Sequence, residues 1–335
     1  MWAKCRRKNV ARLQVIKGGA GEVGMGIADY IWVSEKGLAE FKKKTILVGK
    51  DSRGDAVPII RRWSFQTCAC PTACEGPCLN SQDVLLSPCF YLPDPTRPAP
   101  SYLILCETRD INDTCLTGNY RHHLRLALKR RGPTAKLMWF GFEQQFVLDD
   151  AGDSAPNLAE RRFLTTERHL GACFDAGIMI HSIWNPLWAD HSEFKVGVRG
   201  FPQDLDPDPP TALIVTDHLV VAHYLLEKVA NEKGLTPSWK GLTLFVSTPQ
   251  MREPGGNSTL EAARLMELLA GAGRSLRAVP DPVNGGIQCL ELGLEEFTNP
   301  YKLALEVLEA IWPLDNQAAG QPTAEELDDE EDDQP

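Results

Sequence analysis

An acidic side chain and an amide side chain share one face of an apolar strand in the middle of the chain. The strand is predicted over Lys136–Leu148 and contains the run Trp-Phe-Gly-Phe-Glu-Gln-Gln-Phe at 139–146. Because residues two apart on a strand point to the same side, Glu143 and Gln145 face one way and the phenylalanines face the other. Carboxylate and amide oxygens are ligands for hard divalent cations, so this face could form half of a metal site. A solvent-facing polar edge is the alternative.

A second set of potential ligands lies in a cysteine-rich loop. The spacing is C-x-C-x3-C-x3-C, formed by Cys68, Cys70, Cys74 and Cys78. Four thiolates this close could bind zinc, but the spacing differs from paired C-x2-C knuckles and no histidine lies nearby. The pattern therefore favours free loop thiols, with a zinc-binding module as the alternative.

A glycine pattern near the start matches G-x-G-x-x-G, over Gly19–Gly24. Dinucleotide binding would require a strand before this pattern and a helix directly after it. A strand-like segment, Tyr30–Val33, follows instead. The pattern is therefore interpreted as a loop.

The elements that position these residues fall into two regions. Residues 24–107 are predicted to be rich in strands, at 30–33, 45–48 and 102–106, with a loop-like stretch over 66–100. Further along, helices are predicted at 120–131, 161–176, 217–232, 259–269 and 303–312, and strands at 136–148, 178–180, 193–198, 242–247 and 287–292. Strands and helices alternate without regular βαβ spacing, which predicts an α+β fold.

Composition indicates an ordinary globular protein of roughly two domains. The chain has 335 residues, 43% hydrophobic and 24% charged, and no apolar run approaches a membrane span. Neither a membrane segment nor a secretory signal is visible, so a cytoplasmic protein is expected, with its ten cysteines mostly free. The net charge of -10 and the eight acidic residues of segment 323–335 argue against a nucleic-acid surface.

The apolar strand resembles the Trp-Phe-Gly-x-Glu-Gln-Glu-Tyr strand of class II (eukaryotic-type) glutamine synthetases. Other segments match motifs of that family in the same order: Trp63–Gln66, Leu105–Glu107, Ala172–Gly177, Glu193–Gly197, Asp217–Leu219 and Ser247–Glu253. The similarity extends from about residue 28 to 253 and, more weakly, to about 312.

The resemblance implies a fold, a domain organisation and a reaction. It implies an N-terminal β-grasp domain over 24–110 and a glutamine synthetase-type catalytic domain over 111–316, with a curved antiparallel sheet and helices. These would be flanked by a flexible basic segment, 1–23, and a disordered acidic tail, 317–335. The family ligates ammonia to glutamate with ATP and Mg²⁺ or Mn²⁺, and its members assemble as stacked rings.

Several family site positions are retained. The resemblance assigns metal ligation to Glu143, Glu193 and Glu291. It assigns nucleotide binding to Ser247, Arg274 and Arg277, and substrate binding to Trp139 and Arg252.

Other family positions are changed in this chain. Gln145, Pro186 and Thr243 stand where the family has metal ligands, and Gln66 replaces the aspartate that accepts the ammonium proton. The segment that carries the family's glutamate flap is missing after Glu253. Lost metal charge and lost positioning each reduce rates by orders of magnitude.

These changes predict that glutamine synthesis is lost or greatly reduced. The expected role is a pseudoenzyme or a subunit, as a homo-oligomer or together with an active glutamine synthetase. Two alternatives stay open. The first is an altered ATP-dependent ligase or residual synthetase that uses one metal, and the second is the cysteine-loop metal-binding module.

Overall fold

The structure is a computed structural model of the chain. It describes residues 24–34, 37, 39–51, 55–68, 81–132, 137–150, 157–186, 191–197, 211–252, 258–270, 274–280, 287–294 and 297–312. The expectations for segments 1–23 and 317–335, and for Cys70, Cys74 and Cys78, therefore lie outside the described residues. Gly24, the last glycine of the G-x-G-x-x-G pattern, begins the first strand.

Six strands form the first sheet. They are β1 (Gly24–Val33), β2 (Ala39–Lys50), β3 (Ala56–Ile59), β4 (Trp63–Cys68), β5 (Ser81–Pro93) and β6 (Ser101–Arg109). The strand order is β3-β2-β1-β6-β5-β4, with β1 and β6 parallel and the other neighbours antiparallel. The predicted strands at 30–33, 45–48 and 102–106 are confirmed as parts of β1, β2 and β6.

The first sheet curls so strongly that strands far apart in its order touch. The rings of Tyr30 on β1 and Trp63 on β4 lie edge to face with centroids 6.2 Å apart. Lys44 on β2 places its ammonium 4.2 Å from the centroid of the Trp63 ring. The curled sheet encloses a small core of its own, which includes Tyr30, Leu86 and Ile104.

The loop-like interpretation of 66–100 is wrong for much of its length. Strand β5 occupies 81–93, paired with β4 on one side and β6 on the other. Its two prolines obscure the strand pattern, and the pairing register shifts between Pro88 and Phe90. A proline lacks the backbone N–H that a regular ladder uses, so it is accommodated where the register is irregular or where the strand ends.

The second sheet contains six antiparallel strands. They are β7 (Trp139–Asp150), β8 (Ile180–Trp184), β9 (Ser192–Gly197), β10 (Leu235–Ser247), β11 (Arg274–Pro280) and β12 (Ile287–Leu294), in the order β11-β12-β10-β7-β9-β8. Strand β11 was not predicted, because this edge strand is at most half-buried and carries arginine and serine among its apolar residues.

Six helices accompany the sheets in the described residues. They are α1 (Tyr120–Arg131), α2 (Leu158–Ala176), α3 (Ala212–Asn231), α4 (Pro249–Arg252), α5 (Ser258–Leu269) and α6 (Pro300–Ile311). The predicted helices are confirmed, α1 with the same bounds. The Asn119 side chain caps the start of α1, and Gly177, at φ +79°, ends α2 in the left-handed conformation typical of helix C-termini.

Helix α3 is the centre of the larger core. Fifteen of its twenty residues are buried, and it packs against α2, α6, β7 and β10. The inward phenylalanines of β7 contribute to the same core. The arrangement is a mixed α+β fold with a curled first sheet, a second antiparallel sheet and helices, as expected for the glutamine synthetase type. No helix in the described ranges is long and apolar enough to cross a membrane.

Two buried ionic networks connect distant elements. In the first, Asp29 on β1 accepts hydrogen bonds from Arg97, Tyr224 and Lys228, the last two on α3. In the second, Arg121 on α1 binds Asp217 on α3 through two nitrogens. Each network fixes the first sheet or its adjoining helix to α3.

Candidate functional site

Strand β7 separates its side chains as its sequence predicts. Phe140, Phe142 and Phe146 are fully buried in the larger core. Glu143 and Gln145 are half-buried and lie on the opposite face. The strand therefore presents a carboxylate and an amide side by side, away from the core.

Cross-strand register brings several of the sequence-predicted positions together. Glu143 lies between Thr243 on β10 and Lys195 on β9, and Gln145 lies opposite Glu193. Glu291 on β12 is paired with Phe245, two residues beyond Thr243, so it shares the same face.

Pro186 is placed beyond the end of β8, where it lines a cavity of about 40 Å³ with Phe163 and Ser192. Gln66 lies on β4 opposite Asp83 in the first sheet, and its side chain is outside the described residues. The same holds for the side chain of Cys68.

Each of the three retained glutamates has a basic partner from this chain. The ammonium nitrogen of Lys195 is 2.6 Å from Glu143 Oε2 and 3.5 Å from Glu193 Oε1. Arg277 Nε donates to Glu291 Oε2 at 2.6 Å. Partial burial and the neighbouring charge of Glu143 raise the pKa of Glu193 despite the nearby lysine.

These residues do not fit a cluster of divalent cations. Such a cluster requires anionic oxygens that are free to coordinate, and Mg²⁺ demands near-octahedral geometry around itself. Lys195 already occupies the space between Glu143 and Glu193, and Arg277 engages Glu291. Gln145, Thr243 and Pro186 add no negative charge at the changed positions. The face is an ionic cluster in which basic side chains of the same chain already contact all three glutamates.

The predicted substrate-binding pair is brought together, but it serves the backbone. The Arg252 guanidinium lies 4.1 Å from the Trp139 ring centroid, a cation–π arrangement. Arg252 also donates to the carbonyls of Ser247 and Leu137 at 2.8 and 2.5 Å. Burial lowers the pKa of Arg252 to about 10. These bonds tie α4 to β10 and to the residue segment before β7.

The predicted nucleotide-binding residues also have partners within the chain. The Ser247 hydroxyl donates to the carbonyl of Gln288 at 2.6 Å. Arg274 pairs with Glu306 on α6 at 2.5 Å, and Arg277 pairs with Glu291 as described above. In this arrangement Ser247, Arg274 and Arg277 form structural contacts across β10, β11, β12 and α6.

A further group of potential metal ligands was not identified from the sequence. Within the described ranges, ligand atoms of Glu107, Cys115 and His122 lie within 4.8 Å of one another. Glu107 is also 2.7 Å from Arg121 and 3.6 Å from Arg125. A metal cation here would face these guanidinium groups, so the group suits an ionic network better than a metal site.

Lys195 lies at the centre of this face but is not among the site residues predicted from the sequence. It lies inside the matched Glu193–Gly197 segment, where the family motif Glu-Phe-Gln-Ile-Gly has glutamine. The exchange of a neutral amide for a cation beside an expected metal ligand was the available signal. Because β7 pairs with β9, this lysine lies directly opposite Glu143 and forms an ion pair with it.

Comparisons with known proteins agree with these motifs. No protein-family model matches the chain. It is 28% identical over 270 residues to the glutamine synthetase of Eremothecium gossypii, which covers 72% of this chain and 68% of that protein. It is 28% identical over 266 residues to that of Amanita muscaria, covering 70% of this chain and 69% of the relative. The glutamine synthetase of Colletotrichum gloeosporioides is 29% identical over 272 residues, with 72% and 69% covered.

The similarity covers about 70% of the chain, and the motifs named above lie on strands and helices of an α+β fold. The chain is therefore similar in sequence to glutamine synthetases, at 28–29% identity over 70–72% of its length, and has the mixed α+β fold expected for that type of protein.

Proposed function

We propose that this chain has lost, or has greatly reduced, the synthesis of glutamine from glutamate, ammonia and ATP, and acts as a non-catalytic subunit on the family fold. The observation that carries the proposal is the pairing of Glu143 and Glu193 with Lys195. Phosphoryl transfer from ATP relies on divalent cations that neutralise the developing charge. A site whose two carboxylates already share an ion pair with a lysine is poorly suited to hold divalent cations.

The changed residues at other positions support the same proposal. Gln66 cannot accept a proton at neutral pH as an aspartate does, and Thr243 and Gln145 supply neutral oxygens only. Arg274 and Arg277, the candidates for phosphate contacts, are paired with Glu306 and Glu291. The binding of ATP and the transfer of its phosphoryl group would both be weakened.

The preserved parts suit a scaffold. The matched motifs include buried elements such as β6, α2 and α3, whose packing maintains the fold. We propose that these elements support assembly with copies of this chain or with an active glutamine synthetase, in the cytoplasm. Co-assembly with an active glutamine synthetase would give an inactive subunit a role, whereas assembly with copies of this chain alone would not.

An activity measurement tests the proposal. Purified protein is incubated with ATP, glutamate, ammonia and either Mg²⁺ or Mn²⁺, and glutamine and ADP are quantified. The matched control is Glu143→Ala, purified identically, because activity from a contaminating host enzyme would be the same in both samples. We expect no Glu143-dependent glutamine or ADP. Wild-type turnover that disappears in Glu143→Ala would overturn the proposal.

Assembly is tested separately by co-expression. The chain and an active glutamine synthetase, each with a different tag, are purified through one tag and then weighed by native mass spectrometry. Mixed oligomers are the expected result. Homo-oligomers or monomers alone would exclude the hetero-oligomeric role.

A further inference from the structure

One positive charge lies between two carboxylates on the face that β7 and β9 share. Lys195 and Glu193 are two residues apart on β9, so their side chains point to the same side, and Glu143 is directly opposite Lys195. The Lys195 nitrogen lies 2.6 Å from one Glu143 oxygen and 3.5 Å from one Glu193 oxygen. The three side chains are each only 15–17% exposed.

Two carboxylates that converge on one nitrogen also converge on any small cation placed there. Without the lysine they would be two negative charges in a partly buried setting, each of which disfavours ionisation of the other. A divalent cation is the usual partner for such a pair, because it offers charge to both and binds oxygen directly. The strands hold the pair in place whether or not the lysine is present.

We propose that the Lys195 ammonium is a built-in replacement for a divalent cation, and that Glu143 and Glu193 form a latent Mg²⁺ or Mn²⁺ site which the lysine closes. The inference rests on the proposed function in one respect, namely that the wild-type face holds no divalent ion. It goes further by naming one residue that closes the site and by stating that the site returns when this residue is neutral.

The surroundings are consistent with one cation at this position. Thr243 across the sheet and Gln145 beside Glu143 are neutral groups with oxygen atoms that could complete a coordination shell with water. Glu291, on the same face, is engaged by Arg277. We therefore expect this site to hold one divalent cation and not a cluster of cations.

The test is a Mn²⁺ titration without nucleotide, followed by electron paramagnetic resonance of free Mn²⁺. Wild type is compared with Lys195→Gln and with Lys240→Gln, which removes an exposed lysine from neighbouring β10. Weak binding elsewhere on the acidic chain is common to all three proteins. We expect Lys195→Gln alone to gain one site, with affinity at least about tenfold above the shared background. The double variant Lys195→Gln, Glu143→Gln should lose that site.

Thermal unfolding provides a second readout. Mn²⁺ should raise the midpoint of Lys195→Gln more than that of wild type or Lys240→Gln, because a ligand that binds only the folded state stabilises it. The inference is overturned if folded Lys195→Gln binds no more Mn²⁺ than wild type. It is also overturned if wild type binds an ion that Glu143→Gln removes.

A measurement on the unchanged chain covers the case in which Lys195→Gln does not fold. Acetylation of lysines is followed by mass spectrometry with and without Mn²⁺. Lys195 should react more slowly than Lys240, and Mn²⁺ should not change its rate. Faster acetylation of Lys195 in Mn²⁺ would mean that the ion displaces the lysine, which contradicts the proposal. An inactive wild type together with a folded Lys195→Gln that gains no site would overturn this inference and leave the proposed function standing.

Discussion

Glu107 retains its charge inside the protein because cationic and hydrogen-bonding groups surround it. Burial alone would raise the pKa of this carboxyl. The hydrogen bond with His122 and the charges of Arg121 and Arg125 instead lower the pKa of Glu107 to about 2. Its folded-state pKa therefore lies below the value of 4.5 for an ordinary glutamate. The side chain belongs to the Leu-Cys-Glu motif and stabilises the fold from a buried position.

Replacing Glu107 by glutamine should make stability less dependent on acid pH. A depressed pKa contributes stability that is present above about 4.5 and lost as the pH falls toward 2. At pH 6 we expect Glu107→Gln to lower the free energy of unfolding by on the order of 3 kcal/mol, because Arg121 loses a buried partner. In urea unfolding at pH 6, 5, 4 and 3, the difference in unfolding free energy between wild type and Glu107→Gln should become smaller as the pH falls. Exposed Glu267→Gln is the control, and a constant difference at every pH would contradict this account.

Glu227 on α3 shows the opposite shift. Burial raises the pKa of this carboxyl to about 7, although a hydrogen bond from the Trp239 side chain favours its charged form. The folded state therefore holds a proton that the unfolded chain releases near pH 4.5. A raised pKa contributes stability below about 4.5, and that stability is lost as the pH rises through 7.

Glu227→Gln should consequently keep its stability at alkaline pH better than wild type does. Glutamine has the same shape and still accepts a hydrogen bond from Trp239. Between pH 5 and pH 8 we expect the denaturation midpoint of wild type to fall relative to that of Glu227→Gln, measured in guanidinium chloride. The matched control is Glu232→Gln, at an exposed position beyond the end of the same helix. Parallel pH profiles for wild type and Glu227→Gln would exclude the effect.

At the scale of single elements, strand β9 depends on a glycine at its end. Gly197 has φ +90°, which L side chains rarely adopt. A Cβ atom there would lie 2.5 Å from Val215 Cγ1 on α3 and 2.8 Å from the Phe140 carbonyl oxygen on β7. Gly171, in the middle of α2, has open space at the same position and an ordinary helical backbone.

Two glycine-to-alanine substitutions should therefore have opposite signs. Gly197→Ala should lower the free energy of unfolding by at least about 2 kcal/mol, through strain and steric overlap. Gly171→Ala should raise it by about 0.5–1 kcal/mol, because alanine favours the helix. Equilibrium denaturation of both variants beside wild type is sufficient. Equal effects of the two substitutions would mean that backbone conformation does not decide the outcome.

Periodicity predicted the helices well and the strands unevenly. Helix α1 has its asparagine cap and terminal glycine in the sequence, so its bounds follow from local signals. Strand β5 was missed because its prolines break the local pattern, although its neighbours supply the pairing. The face of the sheet to which Glu143 points follows from the alternation of side chains along β7 alone. The pairing of Glu143 with Lys195 depends on the register between β7 and β9, which is set by packing between residues 52 positions apart in the chain.

At the scale of the whole molecule, the first sheet is fastened to α3 by the network around Asp29. The Asp29 carboxylate is fully buried and accepts from Tyr224 at 2.5 Å, from Arg97 at 2.9 Å and from Lys228 at 3.1 Å. Burial raises the pKa of Asp29, but these partners together bring it below its usual range. We propose that 24–110 and 111–316 are separate domains, and this network lies between them.

Weakening the network should loosen the attachment before it unfolds either part. We expect Asp29→Asn to lower the free energy of unfolding by about 3–5 kcal/mol, and Tyr224→Phe, which removes one hydroxyl, by about 1.5–3 kcal/mol. Hydrogen exchange should show β1 and β6 amides losing protection in Asp29→Asn while β7 and β10 amides keep theirs. Uniform loss across both sheets would indicate a single cooperative unit and would contradict the proposed division.

Lys195 also changes how this protein relates to its ionic surroundings. An ion held by coordination leaves when its free concentration falls below its dissociation constant, and its stabilisation falls with it by mass action. A lysine side chain is covalently attached to the backbone, so neither dilution nor a chelator can remove its charge. The Glu143–Glu193 face therefore keeps its counter-charge at every magnesium or manganese concentration that a cell experiences.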